Sequence, residues 1–521
     1  MCWGGIILMI SCKIKEVINK HLKSMGIKLA MCIILYSMII VCNLVNRQDG
    51  MWNGPYYPAG NWELSIGRWA IRYLDCFQFG IHVNPITTIV TLLLFVLGTE
   101  NMIGILGVAV GSWKDYLISM LFLGNMVICI SLSYLYTSAI YGLAFLIGML
   151  CVKCIIDSEK KKYLLFVGAV CLALVMGLYQ SYLGCIVLTV VTYLIVMSKG
   201  DYELREIGRF VLRGLGIGVM GLCLYEVILY LNLYFFKVSI SSYNGGDQIS
   251  LSVIVSHLLP SMKRAYVGFF KYLTGKSYSW NVYSDKVQEI IFVIILIYYI
   301  VFGGTTLFKS IIHRSLWMLF VLLLPLAANI TFILAPQSAF LEQQTAPMAL
   351  MVSMAVVLLL KISRKKAQFL QDMAIAALSV FLLYGTAYQT LIDQEAMREG
   401  TISSETMAQN IFQSLVERGC YSPDKRYAII GTPGNNPMFF VTPIYNKANW
   451  YARIGGPWWE SALDSRSWGG IYHYRLGINI LTCYADEYEE LLKSDEVKNM
   501  PIYPSEGFIQ EINGIIVIRV S

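Results

Sequence analysis

The feature that most constrains this chain is a succession of apolar stretches, each near the length that crosses a bilayer. About 20 mainly apolar residues make one helical span. Eleven such stretches occur: 27–45, 86–111, 117–135, 139–156, 163–179, 183–197, 214–235, 287–303, 316–334, 346–360 and 373–391. Glu100 interrupts the second, and the sixth and tenth are short. Only 14% of the residues are charged, against roughly 25% in a soluble domain. A soluble enzyme is excluded. The expected fold is an α-helical polytopic membrane protein of about 11 transmembrane helices.

Charge placement orients the spans. Lys13, Lys15, Lys20, Lys23 and Lys28 precede or open the first stretch. Further clusters lie at Lys153 and Lys160–Lys162, at Lys199, Arg205, Arg209 and Arg213, and at Lys361, Arg364, Lys365 and Lys366. The short loops around Thr137, Gln180 and Ser338 carry no Lys or Arg. Basic loops stay cytoplasmic, so residues 1–26 are expected inside. The expected membrane domain is 27–391, with outer loops 46–85 and 236–286, and an extracytoplasmic domain at 392–521. The net charge of +7 is then mostly anchoring charge, and no nucleic-acid motif accompanies it. Trp3 to Ile10 is apolar but short and lacks a basic flank, so no cleavable signal peptide is expected.

The first outer loop carries the densest chemistry. Gly54, Pro55, Pro58 and Gly60 make its first half irregular. Asp49 and Glu63 are the acids upstream of a helical pattern over 66–78. In that pattern Ile66, Trp69, Ala70, Tyr73, Leu74 and Phe77 share one face, while Arg68, Arg72 and Asp75 share the other. Such a helix is expected in the headgroup layer, its arginines facing lipid phosphate in bidentate fashion. The plainer alternative is a solvated face with Arg72 paired to Asp75. Asp49 and Glu63 qualify by position as catalytic bases; the alternative for each is a turn cap or an arginine partner.

The second outer loop combines Asp247 and His257 with Lys263, Arg264, Lys271 and Lys276. Ser250–Tyr272 reads as another interfacial helix broken by Pro260. Basic residues against the topological bias suggest an anionic ligand or anionic headgroups, and His257 reads as a packing residue. Gly216, Gly218 and Gly221 spell GxGxxG without a preceding strand and are expected to pack helices. Asn329-Ile330-Thr331 has glycosylation spacing but falls inside a span. Glu100 and Glu226 are costly in lipid unless they face the bundle interior. Most of the 13 cysteines lie in apolar runs and act as small hydrophobes; CVKC at Cys151 and Cys154 is coincidental. Cys420 and Cys483 lie in the tail, where a disulfide is allowed but not indicated.

From about Asp393 the composition becomes that of a small α/β or α+β domain. Expected elements are a helix at 405–417, a strand at 427–430, a helix at 486–493 and a strand at 514–520. Trp450, Trp458, Trp459, Trp468, Tyr472 and His473, beside Arg453, Glu460 and Asp464, make either a core or a platform for sugar rings.

NWELSIGRW in the first loop and GLYQSYLG at a helix end, in this order on a many-span body, resemble the GtrII-like glucosyltransferase family up to about residue 391. The resemblance implies a GT-C-like membrane enzyme that moves glucose or another hexose from a polyprenyl-phosphate carrier to a cell-surface glycan. Adjacent aspartates, common in the first loop of relatives, are lacking here: Asp49 stands alone before Gly50, and Glu63 precedes GRW. An inverting transfer needs a base, either Asp49 or Glu63. It also needs cations for the departing phosphate: Arg68 and Arg72, then Lys263 and Arg264. Trp62, Tyr179 and Gln180 would line the sugar site. The expected partners are the lipid-linked donor, the glycan acceptor and membrane lipids. No metal is required by the sequence, although some enzymes of this architecture use a divalent ion. The rival readings are a flippase of lipid-linked glycans, which predicts internal repeats that are not evident, and a non-catalytic protein presenting a surface polymer.

Overall fold

A computed structural model describes residues 2–46, 49–77, 79–200, 202–277, 280–304, 308–338, 341–362, 367–453 and 465–521. Gln78, Arg364, Lys365, Lys366, Trp458, Trp459, Glu460 and Asp464 lie outside these. Helices of eight residues or more are numbered in chain order. They are α1 (Cys2–Leu35), α2 (Ile86–Ile105), α3 (Trp113–Leu123), α4 (Met126–Ser133), α5 (Ser138–Asp157), α6 (Leu164–Leu178), α7 (Leu183–Lys199) and α8 (Leu204–Phe236). Then follow α9 (Leu258–Leu273), α10 (Asp285–Gly304), α11 (Ile311–Ala328), α12 (Ala346–Lys361), α13 (Gln368–Glu417), α14 (Pro443–Tyr451) and α15 (Ala485–Lys493).

Helix occupies most of each of the eleven expected stretches. Among the described residues, seven helical segments are long and apolar enough to cross a membrane, or eight if the bent pair α3–α4 is one span. This is a membrane protein. The shortfall from eleven has local causes. The first stretch is split between α1 and the six-residue helix Ser37–Cys42, and α6 has only 15 residues. The 50° bend between α3 and α4 falls at Gly124-Asn125. Asn125 Oδ1 caps α4 by accepting from Val127 N–H at 3.1 Å. Tyr36 Oη donates to the freed Leu123 carbonyl at 2.7 Å, satisfying a backbone acceptor that a helix end leaves open.

The lysine-rich end of the bundle holds a buried ion cluster. Lys28 Nζ lies 2.5 Å from Glu100 and 2.6 Å from Asp115, with Lys28 and Asp115 fully buried. Ser24 and Ser119 each bond Asp115 at 3.0 Å, and His21 bonds Glu100 at 2.7 Å. Lys28 is therefore an internal counter-ion, not the headgroup anchor its neighbours suggested, because two carboxylates from α2 and α3 converge on it. Glu100 faces inward as expected. Glu226 does not: it is exposed on the outer surface of α8.

Other expectations change in detail. Only Gly221 of the GxGxxG packs closely, against Leu172; Gly216 and Gly218 face open space. Asn329 is buried, its amide donating to the Ala265 carbonyl at 3.0 Å. The expected helix 250–272 breaks at His257, not at Pro260. Pro260 sits in the first turn of α9, where a missing N–H costs nothing. His257 is exposed and bonds the Val253 carbonyl at 3.0 Å, so it is not a packing residue. The second half of α9 caps an apolar cavity of about 220 Å³, walled by α10, α11 and α12 through residues such as Phe269, Ile291, Pro325 and Met351.

Helix α13 runs 50 residues without a break, through the expected boundary near Asp393, and carries the tail. The expected tail elements are all present. They build a four-stranded sheet of order β2-β1-β4-β3 from β1 (Arg426–Ile430), β2 (Leu481–Thr482), β3 (Ile509–Ile512) and β4 (Ile515–Arg519). β1 is parallel to β2 and β4, while β3 and β4 form a hairpin. Asn513 and Gly514 turn it with φ of 51° and 77°, the pair of positive angles that type I′ turns require. Trp468 and Tyr472 are wholly buried, which favours the core reading for them. Cys420 and Cys483 are both free.

Candidate functional site

The helix expected over 66–78 is shortened to Trp69–Asp75, and an unexpected short helix, Asn61–Ser65, forms just upstream. Gly67 at φ +81° breaks the chain between them. The break is enforced from outside the loop. A side chain at Gly67 would collide with Tyr225 Oη and stand 2.9 Å from Gln180 Nε2. Tyr225 Oη donates to the Gly67 carbonyl at 3.1 Å, and Gln180 Nε2 donates to the Ile66 carbonyl at 3.0 Å. Trp69 packs on Gly177, where a notional Cβ would lie 2.5 Å from the indole. The two motifs GRW and GLYQSYLG are thus the two halves of one joint.

That joint turns Arg68 inward, against the expectation of a lipid-facing arginine. Its guanidinium stacks 4.5 Å from the Tyr179 ring centroid. Its Nε is shielded from solvent and has no hydrogen-bond partner. No carboxylate among the described residues lies within ion-pair distance of it. Tyr136, Tyr141 and Tyr243 stand within electrostatic reach. The tyrosines form a chain, with centroids 4.9 Å apart for Tyr141–Tyr179, 6.5 Å for Tyr134–Tyr141, 6.4 Å for Tyr134–Tyr136 and 4.7 Å for Tyr57–Tyr136.

Acids meet this chain at three points. Glu63 is buried; its Oε2 accepts from Gly60 N–H at 2.8 Å and its Oε1 from the Tyr57 hydroxyl. Both oxygens are engaged, so Glu63 caps its own helix while holding Tyr57. Burial and then the bond to Glu63 raise the Tyr57 hydroxyl above its ordinary range. Asp49 opens the helix Asp49–Asn53, is exposed, and acts electrostatically on Tyr57, Tyr134 and Tyr136. Glu342, in the turn Glu342–Thr345, acts on Tyr134 and Tyr179.

The remaining expected residues are more dispersed. Arg72 is half-buried, bonds Asn61 Oδ1 at 3.1 Å and covers the Phe236 ring at 3.7 Å. It is not paired with Asp75, which accepts from Ala59 N–H at 2.8 Å. Trp62 is exposed and meets Tyr243 edge-on at 5.5 Å. Tyr179 is buried beneath Arg68, and Gln180 spends its amide on the loop backbone. Lys263 is exposed on α9. Arg264 is committed elsewhere: it donates to the Pro336 and Ser338 carbonyls at 3.1 and 2.6 Å and lies 4.1 Å from the Phe332 ring centroid. It thereby fixes the loop leading to Glu342. No group of three or more His, Cys, Asp or Glu with metal-binding geometry occurs among the described residues.

Sequence reasoning missed Glu342 and the tyrosine chain. Tyr134, Tyr136 and Tyr141 sit in a short loop and helix start noted only for its lack of Lys and Arg, although three tyrosines in eight residues were a visible signal.

A helical membrane protein with a cation stacked in a tyrosine-lined polar site at one end of the bundle is the class these features define. The family model described as Glucosyl transferase GtrII matches residues 55–359, more than half of the chain. The chain belongs to the GtrII glucosyltransferase family. The match includes Glu63, Arg68, Tyr179 and Glu342 but neither Asp49 nor the tail. No curated protein and no solved structure matches the chain significantly.

Proposed function

We propose that the protein transfers a hexose, glucose by family, from a polyprenyl-phosphate carrier to a cell-surface glycan at the outer face of the plasma membrane of a bacterial cell. The observation that carries this reading is Arg68, a cation held against Tyr179 with its Nε shielded and with no carboxylate in ion-pair distance among the described residues. Shielding such a charge is costly unless an anion arrives, and guanidinium suits a phosphate. The cavity of about 220 Å³ beside α9, lined mainly by apolar side chains, supports a donor with a hydrocarbon tail.

In the transfer an acceptor hydroxyl oxygen attacks the anomeric carbon, and the bond from that carbon to the phosphate oxygen breaks. The departing polyprenyl phosphate keeps the electron pair and is met by Arg68, with Arg72 nearer the rim. The hydroxyl proton passes to a carboxylate. Asp49 and Glu63 are the two candidate bases, and Glu63 also orients Tyr57. The N-terminus is cytoplasmic, the first loop and the 392–521 domain are extracytoplasmic, and 27–391 is the membrane domain.

The test is transfer of radiolabelled hexose from polyprenyl phosphate in membranes. Wild-type membranes should label endogenous glycan, and Asp49→Asn should lose about a hundredfold or more in rate. Full activity in both Asp49→Asn and Glu63→Gln would defeat the base assignment, and no lipid-dependent transfer at all would defeat the reading.

A further inference from the structure

The family match leaves the tail domain unassigned, yet the tail is built against one of the two candidate bases. The helix Ser465–Gly470 lies on the helix Asp49–Asn53, and the turn Ile471–Arg475 follows it. Two glycines make the approach close. At Gly470 any side chain would collide with the Met51 carbonyl. At Gly54, with φ +56°, a notional Cβ would lie 2.5 Å from the Tyr474 ring. Arg475 locks the joint by bonding Glu405 of α13 at 2.6 Å and the Asn43 carbonyl at 2.9 Å.

One side of the joint is buried and the other carries exposed side chains. Gly50 and Met51 are covered, while Asp49 and Trp52, three residues apart and so on one helix face, are exposed. Trp52 is 43% exposed, Tyr56 57% and Tyr474 43%. Exposed rings beside Asp49 offer a binding surface. Each ring offers an apolar face and a polar edge, the complement of a sugar ring with its C–H face and peripheral hydroxyls. A lipid headgroup belt is the other use of such rings, but Tyr474 comes from the tail and rests on the first loop.

We propose that the seam between the helix Asp49–Asn53 and the tail turn bearing Tyr474 binds the acceptor glycan, with Trp52 and Tyr474 as stacking platforms. This rests on the transfer reading above. A sugar seated there would present a hydroxyl to Asp49, on the same helix face as Trp52. The tail is then the acceptor half of the enzyme, and the matched region 55–359 the donor half.

The experiment uses full-length protein in nanodiscs and, as probe, de-lipidated surface polysaccharide cut to oligosaccharides, prepared from cells lacking this protein. Wild type should bind the oligosaccharides without donor present. Trp52→Ala and Tyr474→Ala should each weaken binding about tenfold, whereas Trp52→Phe and Tyr474→Phe should keep most of it. Wild-type binding by both alanine variants overturns the proposal. So does equal loss in the phenylalanine variants, or loss that follows a drop in thermal stability or in insertion into the bilayer; the last would mark a headgroup belt. Binding without any transfer from polyprenyl-phosphate hexose would instead defeat the transfer reading and leave the seam standing.

Discussion

Gly67→Ala probes the joint that positions Arg68. Alanine at φ +81° carries a left-handed penalty of about 1–2 kcal/mol. Its Cβ also collides with Tyr225 Oη and crowds Gln180 Nε2 at 2.9 Å. Relief means giving up the bonds from Tyr225 to Gly67 and from Gln180 to Ile66, each contributing about 1 kcal/mol. The sum is about 3 kcal/mol, placed on the loop alone. At 1.4 kcal/mol per decade this amounts to up to roughly a hundredfold loss of transfer. The assay is initial-rate hexose transfer in nanodiscs, with Tyr225→Phe as a graded variant expected to lose about tenfold at most. Gly216→Ala, in a helix with open space around it, is the control and should match wild type. Wild-type rates for Gly67→Ala would refute the argument that this joint sets Arg68.

Three further outcomes follow from the same geometry. Lys28→Met leaves Glu100 and Asp115 buried without their cation and should cost about 3–5 kcal/mol, read as faster thermal inactivation in detergent; unchanged half-life would contradict the cluster's role. Burial lowers the His82 imidazole below its ordinary 6.5, with Asp75 and a hydrogen bond to the Tyr57 backbone opposing. Its neutral form is favoured in the fold, so its contribution is full above pH 6.5 and is lost as pH falls through the lowered value; His82→Gln should flatten the decline in stability between pH 7.5 and 5, and an unaltered profile would exclude His82 as its source. Cys76 is exposed and free in the first loop, so a membrane-impermeant maleimide should label it on intact cells, and labelling only after lysis would reverse the proposed orientation.

The sequence made the spans legible because burial in lipid demands unbroken apolar runs, and nothing else in a globular chain produces so many. It misled over 66–78 for an instructive reason. The helical period there is real, but Gly67 must take a positive φ to admit Tyr225, a residue far along the chain. Periodicity cannot register a partner that distant. The importance of GRW and YQ was visible, but their mutual contact was not. Glu63 fitted both a cap and a base from position alone, and only its bonds to Gly60 and Tyr57 show the cap. Glu342 escaped notice because its loop was judged by absent cations, not by its acid. In the tail, β3 was missed although Asn513-Gly514 is a strong hairpin signal; the apolar run after it was taken as a lone closing strand.

The central claim is that Arg68 receives the phosphate of a lipid-linked donor. The most direct measurement is the affinity of purified protein in nanodiscs for polyprenyl phosphate, wild type against Arg68→Gln, with Lys263→Gln alongside. A charge-assisted bond to phosphate contributes about 1.5–3 kcal/mol, so Arg68→Gln should weaken binding roughly ten- to hundredfold and Lys263→Gln far less. Equal affinity of wild type and Arg68→Gln would contradict the account.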